Sequence, residues 1–72
     1  MTYQDTHQDT EHLHTVQMQL STAHAMALAR FAKRVGWSEC RANAVDEDQA
    51  KEIRAGVDAL QIALAEAGFA PR

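Results

Sequence analysis

The sequence predicts a mostly helical fold in which one N-terminal β-strand precedes two or three helices, in the order strand, helix, short helix, long helix. Three observations carry this. Residues 14–20, HTVQMQL, alternate apolar and polar side chains with the period of a half-buried strand. Residues 23–35 and 47–67 repeat their apolar side chains at spacings of three and four, the period of a helix face. With 72 residues there is room for a single small core. A content of 46% hydrophobic and 24% charged residues is that of a folding chain rather than a disordered one. The expected organisation is therefore a flexible polar arm over residues 1–13 and one strand-plus-helices domain over residues 14–70.

The arm is rich in Gln, Asp, Thr and His, with Tyr3 its one aromatic side chain. In the strand, Val16, Met18 and Leu20 fall on one side and Thr15, Gln17 and Gln19 on the other. A lone strand leaves its backbone donors and acceptors unpaired, and no second strand is legible in the chain. Its expected partner is therefore its own copy in a second subunit, a homodimer built on Val16, Met18 and Leu20.

Ser21 or Thr22 is suited to cap the first helix, whose residues 23–35 are good helix formers. Ala25, Leu28, Ala32 and Val35, with Phe31 alongside, form its core-facing stripe, and His24 falls toward that side near Phe31. Lys33 and Arg34 suit the negative end of the helix, and Gly36 is expected to end it in the left-handed conformation. Ser38 is expected to cap a short second helix carrying Cys40, Ala42 and Val45. Asp46 and Gln49 read as a capping box for the long helix, with Glu47 and Asp48 in its first turn. Ala50, Ile53, Val57, Leu60, Leu64 and Ala67 form its seam, and Gly56 beside them suggests a close helix crossing. Gly68 is the expected cap, with Phe69 folding back on Leu64 and Pro71 barring continuation.

The net charge of −3 is the sum of three blocks. Residues 1–20 hold three acids and no Lys or Arg, residues 21–45 hold four cations against Glu39, and residues 46–72 hold six acids against three cations, giving −3, +3 and −3. An acidic chain is a poor general binder of polyanions. No apolar run approaches the roughly 18 residues of a membrane span, and no secretion signal opens the chain, so the expectation is a cytoplasmic protein with no membrane partner.

Chemistry-bearing residues are few. His12 and His14 share one side of the strand, with His7 and Glu11 nearby, but two ligands fall short of the three or four that zinc requires, so no metal is expected. Cys40 has no His partner close in sequence and reads as a small buried apolar residue. Asp46, Glu47 and Asp48 are accounted for by capping. The expectation is a non-enzymatic protein with no cofactor. The exposed face of the first helix stands out, because Arg30, Lys33 and Arg34 share it with Met26 and small residues, the composition of a protein interface. Together with Arg41 these are the expected partner-binding residues.

The order of HTVQMQL, STAHAMALARFAKRVG and the turn G-W-S resembles the ribbon-helix-helix repressors over residues 14–45. That resemblance implies paired strands whose outward side chains, here Thr15, Gln17 and Gln19, read bases in the major groove. The strand lacks Lys and Arg, however, and the arm before it is acidic. LSTAHAMALARFAKRVGW, NAVDEDQA and ALAEAGFAPR are similar to segments of small proteins carried by proteobacterial phages, plasmids and integrative elements. This similarity implies a module that binds a host protein, anti-CRISPR and other anti-defence inhibitors being examples; the lone strand makes the expected module a homodimer, and DNA is the partner in the ribbon-helix-helix alternative.

Overall fold

The structure, a computed structural model, describes residues 12–71. Those residues form three helices, α1 (Thr22–Arg34), α2 (Trp37–Ala42) and α3 (Glu47–Glu66). Both α1 and α2 pack on α3. Ala25 and Ala29 of α1 cluster with Leu64 near the end of α3, whereas Val35 just beyond α1 is bonded to Arg54 in its first half. The two long helices therefore run antiparallel.

Each helix start is explained by a local cap. The Ser21 hydroxyl accepts the His24 N–H at 3.1 Å. The Asp46 carboxylate accepts the Gln49 N–H at 2.8 Å, and the Gln49 side chain accepts the Val45 N–H at 2.8 Å. The His24 and Gln49 amides are among those a helix N-terminus leaves orphaned, while the Val45 bond ties the lead-in to the first turn of α3. At the end of α3, Phe69 donates to the Leu64 carbonyl at 2.8 Å and Gly68 to Ala65 at 3.0 Å. This is a Schellman ending, with Gly68 at φ 102°, where a side chain would be strained.

The turn between α1 and α2 differs from the expectation. Gly36 is not left-handed; it lies at φ −115°, ψ −173° and caps α2, so Trp37 and Ser38 are already helical. The Glu39 carboxylate turns back to accept the Gly36 N–H at 2.8 Å. A Cβ on residue 36 would lie 3.3 Å from that oxygen, so glycine gives the carboxylate room. Helix α2 ends at Ala42, where the Asn43 side chain donates to the Glu39 carbonyl, and Val45 belongs to the lead-in of α3 and is 81% exposed.

The core is narrow. Its buried members are Ala25, Ala29, Ala32, Cys40, Ala50 and Leu64. Only Leu64 among them is a large aliphatic side chain, and burial scales with apolar area. Leu28, Leu60 and Phe69 pack half-buried against the cluster of Ala25, Ala29 and Leu64. The stripe of α1 is centred on its alanines, including Ala29, which the expected stripe omitted. Phe31 lies about 120° around the helix from Ala25 and stays 58% exposed. His24 is exposed as well, and Ala67, expected in the seam, is exposed as the C-cap of α3. Gly56 would meet nothing within 4 Å if it carried a Cβ, so it marks no close crossing. Ile62 points outward as its spacing predicts.

Residues 13–21 precede α1 without helix or ladder. A strand is defined by its bonds to a neighbouring strand, and no strand is assigned among the described residues of the single chain. The expected arm falls, for residues 1–11, outside the described residues.

Candidate functional site

Two surfaces bring expected site residues together, and both are built by what flanks α1. The first lies before the helix. Val16, Met18 and Leu20 line an open groove whose floor is supplied by Ala25, Leu64 and Phe69. The three side chains remain 80%, 55% and 40% exposed. No hydrogen bond joins residues 13–20 to another described residue. Thr15, Gln17 and Gln19 are exposed too. Apolar side chains held in water forgo the free energy of burial, which a surface that covers them would recover.

The second surface lies beside the helix. After Gly68 the chain doubles back along α1, and the Lys33 ammonium donates to the Pro71 carbonyl at 2.9 Å. Residues 68–71 thereby form one wall of a groove of 220 Å³, with Met26, Ala29 and Arg30 forming the other. A neighbouring groove of 360 Å³ is lined by Arg30, Lys33, Arg34 and Pro71. Arg30 and Pro71 border both, so an apolar recess and a cationic one lie side by side. Met26 is 41% exposed there. The structure thus unites four of the five expected partner-binding residues. Arg41 is separate, donating instead to the Ala44 carbonyl in the turn after α2.

Sequence reasoning missed Arg54. Its guanidinium donates to the Val35 carbonyl at 2.8 Å, closing the end of α1, and to Asp58 at 2.8 Å. The Arg-Asp spacing of four on one helix was visible, but the carbonyl it reaches lies 19 residues away. Residues 68–71 as a groove wall were also missed, since Gly68 and Pro71 read only as stop signals. The Cys40 thiol is 1% exposed. Among the described residues no three His, Cys, Asp or Glu side chains converge as metal ligands, and no helix is long and apolar enough to cross a membrane. His12 and His14 are exposed, while His7 and Glu11 lie outside the described residues.

Comparison with known proteins yields a match over residues 1–72 to the model of a family of unknown function (DUF7706). No curated protein and no solved structure matches the chain.

Proposed function

We propose that this chain, which belongs to the DUF7706 family, is a non-enzymatic protein-interaction module that acts as a homodimer and holds a host protein. The observation that carries the reading is the segment before α1, whose alternate apolar side chains are exposed and whose amides have no partner among the described residues. Two copies pairing antiparallel about Met18 set Val16 of each opposite Leu20 of the other, so the whole apolar side meets itself. In that register Met18→Cys, made in a Cys40→Ala background, cross-links to its copy on oxidation. Gln17→Cys, offset from its copy, stays monomeric on a denaturing gel. Equal cross-linking at both positions would refute the register.

The dimer then presents Met26, Arg30, Lys33 and Arg34 to the partner. The proposed setting is a phage or mobile element, with an anti-defence inhibitor such as an anti-CRISPR as the role. Small size and the similarity of its segments to proteins of such elements support this. The alternative is a ribbon-type DNA-binding regulator, favoured by the exposure of Thr15, Gln17 and Gln19 along one alternating set.

Affinity capture from host lysate, with and without nuclease, separates the two. A stoichiometric protein that survives nuclease supports the interaction module. Recovery of a defined DNA fragment without such a protein overturns it, and Gln17→Ala with Gln19→Ala should then abolish that recovery.

A further inference from the structure

We propose that the groove between α1 and residues 68–71 docks an acidic, extended segment of a partner protein, seating one apolar side chain by Met26 and Phe69 and its carboxylates against Arg30, Lys33 and Arg34. The inference rests on the interaction-module reading and gives the partner a chemistry.

Three features of the groove point to this occupant. The first is the adjacency of its two halves: Met26, Ala29 and Phe69 line the recess of 220 Å³, and Arg30 and Pro71 border both it and the cationic groove of 360 Å³. A ligand that fills both needs an apolar group next to negative charge. The second is the state of the cations. The ion pair formed among the described residues is Arg54 with Asp58, so Arg30 and Arg34 face no described carboxylate. Lys33 uses one of its three donors on the Pro71 carbonyl and keeps two. Arginine presents a planar fork that matches a carboxylate in a bidentate pair, so a peptide acid is a geometric fit.

The third is that the groove is already formed. The left-handed Gly68 turns the chain back, and the Lys33 bond holds Pro71 against α1, so little ordering is left for the ligand to drive. A nucleic acid suits the site less well. Affinity for a polyanion grows with the number of phosphates neutralised, and here three cations sit on a chain of net charge −3. The apolar half would also go unused by a phosphate backbone.

The test is a titration of the isotope-labelled full chain, followed by amide chemical shifts, with the peptide Glu-Glu-Leu-Glu-Glu. Its Gln-Gln-Leu-Gln-Gln and Glu-Glu-Ala-Glu-Glu counterparts and a short oligothymidylate serve as comparison probes. The expected result is a saturable shift of the Met26, Arg30, Lys33 and Phe69 amides with the first peptide. Either counterpart should bind more weakly, and the Arg30→Glu, Arg34→Glu double variant should lose at least about tenfold in affinity. Circular dichroism of that variant establishes that its helices persist. Absence of shifts at these amides, equal binding of the glutamine peptide, or tighter binding of the oligothymidylate would each overturn the proposal. Failure here is distinguishable from failure of the module reading: a host protein captured equally well by the double variant leaves the module standing and removes the groove from its mechanism.

Discussion

The two ends of the described chain meet the same problem, a short segment leaving a helix, and resolve it in opposite ways. After α3, the Gly68 and Phe69 amides return to carbonyls of the helix they leave, Phe69 packs on the Leu64 cluster, and Lys33 ties Pro71 to α1. Before α1, residues 13–20 make no hydrogen bond to another described residue, and Val16, Met18 and Leu20 project over a groove without filling it. The C-terminal end is closed within the chain. The N-terminal segment is of similar apolar content, yet its backbone bonds to no other described residue and its apolar side chains stay exposed. The contrast separates an end closed within the chain from one left open, which the proposed homodimer would complete.

Leu64 tests the contrast most severely because both ends lean on it: its carbonyl takes the Phe69 amide, and its side chain lines the groove under Val16 and Met18. Leu64→Ala should cost about 2–5 kcal/mol in urea unfolding, and a loss below about 1 kcal/mol would mean the cluster is not the core. Gly68→Ala acts on the closed end alone. It forces a side chain into the left-handed region and should cost about 1–2 kcal/mol, with resonances of residues 69–71 shifting while those of residues 14–20 do not. Ser21→Ala acts at the other end, removing the α1 cap at the junction with the open segment, for about 1 kcal/mol read as a lower thermal midpoint. Gly56→Ala touches neither end. Exposed and free of neighbours, it should stabilise by up to about 1 kcal/mol, and destabilisation there would reveal a helix contact the structure does not contain.

The parts of this molecule that are local in the chain are legible in its sequence. Ser21, Asp46 with Gln49, and Gly68 with Phe69 each act within five residues, and each does what its residue type suggests. The order of the three helices follows from the same signals. What escapes a sequence reading is set by packing. Phe31 is apolar and sits near the stripe, yet the contact centres on Ala25, Ala29 and Ala32, which leaves it outside. Gly36 resembles a helix terminator, but Glu39 recruits it as the cap of the next helix. Met26, Arg30, Lys33 and Arg34 were recognisable as a mixed apolar and basic face from their spacing. The opposite wall of their groove depends on the bond between Lys33 and Pro71, 38 residues apart, which no local pattern announces.

The most direct test of the central claim, that residues 14–20 complete themselves on a second copy, is sedimentation velocity of the full chain beside its Met18→Asp variant. The account predicts a wild-type species of twice the 8.0 kDa chain mass and, for the variant, a monomer whose circular dichroism still shows helices. A charge buried on the apolar side of a paired ribbon should weaken association by about a hundredfold or more. A wild-type chain that stays monomeric at every concentration, or a variant that associates as tightly as the wild type, would contradict it.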